Sequence, residues 1–524
     1  MVGGEQQTSS GGVAGRIVRA AGAQGLIQVV RVVQLFLLVP VCLGAWGTAV
    51  YEDWVLLCSI TAFLILADLG LVQFIAVRLI DAWSKGERER FAHEWALALG
   101  IFSSLAVLLM GILAVAWVKP EWAALIPARQ MKTTELAAIA VSLALAQVWS
   151  ILIFVGLAAY RARGDLSRSY HMWSVLVALQ TAGIVLPAWF GGGPLDSSIG
   201  NCVATGVTLV GVVADFCRRY PDMGWKPAWP SFRDLTWRVR NAVGYLVSPV
   251  TTTIMLNGPN LILAHSGAPE GAIALFTATR TIAGVARQLP YQFAHPAGVE
   301  LAALTARGDQ PGLSRVYASA SRALALVVGV LSGFTMIAAP LVMALWTRGK
   351  IGYDAELMLV LLGTSAVCAP AQVAYTFLWY AGYPGRLNKA LLFSTGLAMG
   401  LAILLAPKFG AVGLAAGLGA GEIVGIALYL SLLVDRLLGH HGGAVLWRNL
   451  WTAFLSFLSS AALGYLLDLV LKPQGWFGLI ELGSLWAVPA AAIVYRVFLS
   501  VPQQARVNAF AANFLRSRRA QSRS

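Results

Sequence analysis

Thr277, Arg280, Gly284, Arg287, Tyr291 and His295 follow one another at spacings of 3, 4, 3, 4 and 4 through an otherwise apolar stretch. That is the helical period, so the six share one face. Two arginines two turns apart on such a face suit a phosphate-rich headgroup, because guanidinium pairs with phosphate through parallel hydrogen bonds. Gln24, Gln28, Arg31 and Gln34 form a second polar stripe, and Thr253, Asn257 and Asn260 a third. Gly258 and Pro259 separate the two asparagines and are expected to kink or break their helix. Freed carbonyls and amide side chains there would suit sugar hydroxyls or a cation. Asp68 sits in "LILADLGLVQFIAVRLI", seven residues after Thr61 and on the same face. Its expected partner is Arg31 or Arg280, released when an anionic headgroup competes for the arginine. Glu422 lies mid-way through a Gly/Ala-rich run.

Each of these has a plainer reading beside it. Arg31 and Arg287 lie near span ends, where a long side chain snorkels to the interface. The asparagines serve equally as glue between helices. Glu422 is either a proton-linked carboxylate or a packing residue, and Asp68 with its arginine either a switch or a fixed pair. His265 and His295 are expected at the interface, and Asp215, Glu300 and Asp435 in solvent at span ends.

The elements that carry these stripes are membrane spans. The chain has 524 residues, 58% hydrophobic and only 12% charged, with a mean hydropathy of +0.72; soluble domains carry about 25% charged residues. A crossing needs about 20 apolar residues. By that ruler about fourteen segments are expected, near 26–44, 54–80, 95–118, 135–160, 171–190, 196–217, 242–265, 271–298, 322–346, 355–380, 387–406, 411–434, 449–471 and 477–499. The fold class is therefore an all-α polytopic membrane protein. A charge at a helix centre costs about 2.5–3.5 kcal/mol to insert, so the charged residues named above should face protein or water.

Basic residues set the orientation. One alternating set of loops holds only Lys119, Arg129, Lys132, Arg348, Lys350, Lys408 and Lys472. The other set holds Lys85/Arg88/Arg90, Arg161/Arg163/Arg168 and Arg218/Arg219/Lys226/Arg233/Arg238/Arg240, and the tail "NFLRSRRAQSRS" goes with it. Both termini are expected in the cytoplasm, with Arg78 marking the cytoplasmic exit of span two. The start, "MVGGEQQTSSGGVAGRIVRAAGAQG", lacks a cleavable signal pattern and reads as a short tail. The net charge of +14 is a topological signal that also suits membrane lipids; no basic stripe interleaved with aromatics points to nucleic acid. No outer loop is large enough for a catalytic domain. No Walker, HExxH or CxxC pattern occurs, and the five cysteines are scattered. No cofactor, metal or catalytic nucleophile is expected.

The first six spans resemble the next six in the order of their loops. "DAWSKGERERFAHEW" matches "AALTARGDQPGLSRVYASASR", and "AYRARGDLSRSYHMW" matches "WYAGYPGRLNKALLF". The sixth and twelfth spans share small-residue starts. An even offset keeps both halves in one orientation, with an axis along the membrane normal and a cavity between them. The expected organisation is a tail at 1–25, a first lobe at 26–217, a linker at 218–241, a second lobe at 242–435, two further spans at 449–499 and a basic tail at 500–524.

"YEDWVLLCSITAFLILADLGLVQFIAVRLIDAWSKGERERF" and "ALFTATRTIAGVARQLPYQFAHPAGVELAALTARGDQPGLSRVY" resemble polysaccharide-type (Wzx-like) flippases of the multidrug/oligosaccharidyl-lipid/polysaccharide exporter superfamily. The shared features are the Asp-Leu-Gly of span two, the basic–Gly–acidic loop after it, and the Arg and Pro of span eight. Tyr51-Glu52-Asp53-Trp54 departs from the Tyr-Gly-x-Trp of that pattern. The resemblance implies two six-helix lobes in a bacterial inner membrane. It also implies outward movement of a polyprenyl-diphosphate-linked glycan, with a polymerase and glycosyltransferases of the same pathway as partners and H+ or Na+ as a coupling ion. Arg280 would meet the diphosphate, assisted by Arg31 and Arg287. The alternatives are a cation-coupled drug exporter of the same superfamily and, from another class, a membrane-embedded polymerase or ligase.

Overall fold

The computed structural model describes residues 10–221, 226–439 and 443–498; the expected tail at 500–524 lies outside them. Every regular element among these residues is a helix. Their order is α1 (Ser10–Ala62), a 3-10 segment (Phe63–Asp68), α2 (Leu71–Ser84), α3 (Arg88–Val118), α4 (Thr133–Ala162), α5 (Leu166–Trp189), α6 (Pro194–Arg219) and α7 (Phe232–His265). There follow α8 (Ala272–Tyr291), α9 (Ala294–Arg307), α10 (Gln310–Trp346), α11 (Ala355–Cys368), α12 (Ala371–Tyr380), α13 (Pro384–Glu422), α14 (Tyr429–Leu437), α15 (Ala444–Leu471) and α16 (Gly475–Ile493). Among the described residues nine helices are long and apolar enough to cross a membrane, and the α11–α12 pair, bent by 50°, makes a tenth if taken as one span.

Two of the nine take in more than one expected span. Gly22–Asp68 has 47 residues and Pro384–Leu437 has 54, against about 20 for one crossing. The first contains Gly47 at φ 78°, ψ 174°, and the second Gly410 at φ 56°, ψ −135°. Neither conformation is helical, and each marks the place where the sequence separates two spans.

Spans seven and eight depart from expectation. Neither α7 nor α8–α9 is among the nine. α7 passes through Pro249 and Pro259 without a non-helical residue, so the break expected at Gly258–Pro259 does not occur. Proline removes one donor, and membrane helices absorb that loss when side chains and neighbours serve the freed carbonyls. The eighth span, expected as one stretch over 271–298, is divided at 292–293 between α8 and α9.

Proximity in space divides the chain into two compact units. The first runs to Ala278 and takes in Trp346–Ile351 and Ala402–Leu414. The second comprises Thr279–Leu345, Gly352–Leu401 and the chain from Ala415. α7 thus packs with the N-terminal unit, and α8 begins in one unit and ends in the other. In the first unit, Trp95, Tyr160 and Phe216 are buried at the heart of a core that joins α2 to α6, with Trp95 and Phe216 rings 4.9 Å apart. In the second, Leu301, Tyr317, Phe377, Leu387, Leu430 and Val434 form the core.

The break in α1 is served by a loop of its own unit. Pro40 has no N–H for the Phe36 carbonyl, and Trp346 Nε1 donates to it at 2.9 Å. Gly47 takes the next turn out of the helix, and Lys350 Nζ donates to Leu43 and Gly44 carbonyls at 3.0 and 3.2 Å. The segment before α7 lies along α3: Ala228 N–H donates to Ala96 O at 2.8 Å, and Trp229 Nε1 to Ser104 Oγ at 3.0 Å.

Candidate functional site

α8 carries Thr277, Arg280, Arg287 and Tyr291 on one unbroken helix, as their spacing predicts. His295 falls beyond the break, on α9, where Nδ1 meets Tyr380 Oη at 3.2 Å. In the second unit, Arg287 meets Glu422 in a two-point ion pair: Nη1 donates to Oε2 at 2.8 Å and Nη2 to Oε1 at 3.3 Å. The Arg287 guanidinium also lies 5.3 Å from the centre of the Tyr291 ring. Arg280 is within electrostatic range of both Glu422 and Arg287. Glu422 closes α13, directly before a π-helical turn at Ile423–Leu428. Arg287 thus joins a carboxylate and a tyrosine ring, with Arg280 in electrostatic range. Arg287 has its fork occupied, and an incoming anion would have to displace Glu422 to reach it.

The other candidates belong to the first unit. Asn260 is 7% exposed. Its Nδ2 donates to Ser59 Oγ at 2.8 Å, and its Oδ1 accepts from Thr277 Oγ1 at 3.5 Å. It ties α7 to α1 and to the start of α8. Asn257 Nδ2 donates to the Thr253 carbonyl of its own helix at 3.2 Å. Gln24, Gln28 and Gln34 are partly buried on α1. On the same stripe, Arg31 lies over the Trp173 ring of α5, 4.4 Å from its centre.

Asp68 has a local task. The helix tightens to 3-10 over Phe63–Asp68, Leu69 and Gly70 turn left-handed at φ 52° and 77°, and α2 restarts at Leu71. Gly70 N–H donates to Asp68 Oδ1 at 3.0 Å, the short-range turn bond that aspartate favours. The turn needs glycine twice over: for its φ, and because a Cβ on Gly70 would lie 2.8 Å from Ala242 O on α7. Asp-Leu-Gly is thus a break in span two that lets α7 close in.

Several charged contacts were not legible in the sequence. Arg78, read as an exit marker, bonds Glu94: its Nε donates to Oε1 at 2.9 Å. Arg238 Nη1 donates to Glu94 Oε2 at 2.6 Å and its Nε to Asp234 at 2.9 Å. Glu94 is 2% and Arg238 3% exposed, so one buried carboxylate joins α2, α3 and α7. Asp215 is not simply solvated: it accepts from Tyr160 Oη at 2.6 Å and from Arg168. Asp435, also expected in solvent, is 1% exposed.

Glu52 and Asp53 are the largest omission. Glu52 accepts backbone N–H bonds from Gly271, Ile273 and Ala274 at 2.9, 2.7 and 3.0 Å, which seats a carboxylate on the positive N-terminus of α8. Asp53 accepts from the backbone of Arg129, Gln130 and Met131 at 3.0, 2.9 and 3.1 Å, and the Arg129 guanidinium reaches Ala268 O at 2.7 Å. The available signal was the pair itself: adjacent acids at the end of an apolar run need donors.

The all-helical, multi-pass membrane fold is similar to that of solved flippase and multidrug-transporter structures. Among solved structures, the lipid II flippase MurJ in an inward closed conformation matches 92% of this chain and 100% of its own, with a TM-score of 0.67 at 12% identity. An inward-facing multidrug resistance MATE family transporter of the MOP superfamily matches 82% of this chain and 100% of its own, with a TM-score of 0.61 at 17% identity. An outward-facing MATE transporter matches 80% and 96%, with a TM-score of 0.56 at 16% identity. No family description matches the sequence, and no curated relative does.

Proposed function

We propose that the chain is a flippase for a polyprenyl-diphosphate-linked oligosaccharide, moving it from the cytoplasmic to the outer leaflet for cell-surface polysaccharide export. The observation that carries this reading is the extent of the likeness: the lipid II flippase fold matches 92% of the chain, the MATE folds 80–82%. The arginines on α8 and α1 supply the chemistry. Their guanidiniums suit a diphosphate, and Glu422 holds Arg287 until an anion competes for it. The lipid tail stays in the bilayer, the substrate enters from the inner leaflet, and the termini lie in the cytoplasm of a bacterial inner membrane. Transport of this kind makes and breaks no covalent bond.

The second reading, a cation-coupled exporter of drugs or small molecules, is favoured by Glu422, a carboxylate at membrane depth that a proton could reach. Purified protein in proteoliposomes, given a fluorescent polyprenyl-diphosphate sugar in one leaflet, separates the two. Accelerated appearance of the sugar in the opposite leaflet is the expected result. No acceleration, together with unimpaired glycan export in a strain lacking the gene, overturns the flippase reading.

A further inference from the structure

Residues 218–241 are expected as a linker, yet the stretch just before α7 is seated on α3, one of the nine helices fit to cross a membrane. Ala228 N–H donates to Ala96 O at 2.8 Å, and Trp229 Nε1 to Ser104 Oγ at 3.0 Å. The seat is backbone against backbone: a Cβ on Gly100 would lie 2.0 Å from Ala228 O. The apolar run of α3 is expected to open at Trp95. Ser104 therefore lies about 14 Å into it at 1.5 Å per residue, near the middle of a hydrocarbon core about 30 Å thick. All of these residues belong to the first unit.

Irregular backbone is costly beside lipid because its N–H groups lack partners. Here few are at stake: Pro227 and Pro230 have no N–H, and that of Ala228 is bonded to α3. The Trp229 side chain is 68% exposed, while its single polar atom is bonded. What it presents outward is therefore apolar. Val107 and Leu108, one turn beyond Ser104 on α3, are exposed as well. Basic residues flank the stretch. Lys226 is exposed before it, and Arg233, Trp237 and Arg240 follow at spacings of 4 and 3 on an exposed face of α7. Aromatic rings with Lys and Arg beside them anchor a chain at a bilayer surface. We propose that residues 226–231 are a strap embedded in the leaflet on the side of the basic loops, with Trp229 among the acyl chains and Lys226, Arg233 and Arg240 at anionic phospholipid headgroups. The connection is then a lipid-facing wall of the first unit and not a tether free in water. The inference holds for a flippase and for an exporter alike.

The test places a nitroxide on the full chain, its five cysteines replaced by serine or alanine, in phosphatidylcholine vesicles with and without phosphatidylglycerol. Pro227→Cys carries the label and leaves both bonds to α3 intact; labels at Val107→Cys and Lys85→Cys give the lipid and water references. Relaxation by oxygen and by a water-soluble nickel chelate reads the surroundings. The expected result at 227 is oxygen contact like that of the Val107 label and nickel contact several-fold below that of the Lys85 label. Nickel contact equal to that at Lys85 makes the stretch an aqueous linker and overturns the strap. Low contact with both reagents means that protein, such as a second copy of the chain, covers it, and overturns lipid as the occupant. Gly100→Ala should unseat the strap and raise nickel contact several-fold; parent-like contact overturns the seat on α3. Phosphatidylglycerol should lower nickel contact, and the combined Lys226→Gln, Arg233→Gln and Arg240→Gln should remove that effect. No effect of phosphatidylglycerol on the parent overturns the headgroup contacts. Without any label, brominated phosphatidylcholine should quench more emission from the parent than from Trp229→Phe, and equal quenching removes Trp229 from the acyl chains.

Discussion

Glu94 holds two arginines from elements far apart in sequence, and at residue scale that bond is the most consequential in the first unit. Breaking a buried pair from one side costs about 3–5 kcal/mol, because the remaining charge has no partner. Arg238 is buried and keeps only its bond to Asp234, so it bears most of that cost, while Arg78, with a side chain 24% exposed, recovers part of it from solvent. Glu94→Ala should therefore lower the unfolding midpoint in detergent by several degrees or abolish folding. Glu94→Gln, which keeps size and one acceptor, should cost less. Equal midpoints for parent and Glu94→Ala would remove Glu94 from this role. Asp68 has the opposite character. Asparagine offers the same oxygen to Gly70 N–H, so Asp68→Asn should transport as the parent does, whereas Asp68→Ala should lose about 0.5–2 kcal/mol, as when a helix cap is removed. A transport defect in Asp68→Asn with parent-like unfolding would show that the charge itself matters. The sequence made the types of these residues plain and left their partners hidden. A lone acid in an apolar run shows a face, but nothing in "LADLG" shows that the helix stops there. Glu94 and Arg238 are separated by 144 residues, and hydropathy carries no record of such a pairing.

At the scale of elements, periodicity reads well because burial enforces it. Helices were expected from apolar runs, and breaks at Gly47 and Gly410 fall where polar residues interrupt those runs. What periodicity cannot show is a helix that continues through proline, as α7 does, since continuation depends on neighbours. The small residues of "LAAGLGAGEIVGIA" stand out in the sequence as the start of the twelfth span, and the structure gives them a reason. A Cβ on Gly421 or Gly425 would collide with Ala398 or Ser394 of the first half of α13, so the two halves pack backbone to backbone. Gly421→Val should push them apart at a cost of about 1–3 kcal/mol, as overpacked contacts do. It should also disturb the adjoining Glu422–Arg287 pair. The check is a lower unfolding midpoint together with a change in glycan export. Parent-like values of both would mean that the contact is looser than the geometry indicates.

For the whole molecule, class and approximate span positions followed from composition, because a bilayer admits few architectures. The division into compact units did not, since α8 changes unit between Ala278 and Thr279, and no feature of "LFTATRTIA" announces it. That change gives Glu52 a reach beyond its own contacts. Its carboxylate seats the first turn of α8 in the N-terminal unit, and Arg280 and Arg287 follow two to four turns further along the same helix. Glu52→Ala would leave the first N–H groups of α8 without their acceptor and loosen its seat by about 0.5–2 kcal/mol. If α8 transmits the movement of one unit to the arginines of the other, flipping of a lipid-diphosphate sugar should slow several-fold in this variant. Retention of polyprenyl diphosphate by the full chain should persist. Glu52→Gln keeps one acceptor but turns an amide donor toward other donors, so it should recover little, and Glu52→Asp should recover only as far as its shorter arm reaches. Parent-like flipping in Glu52→Ala would confine the carboxylate to holding the loop. Loss of retention along with flipping would mean that the damage spreads through the first unit and is not carried by α8.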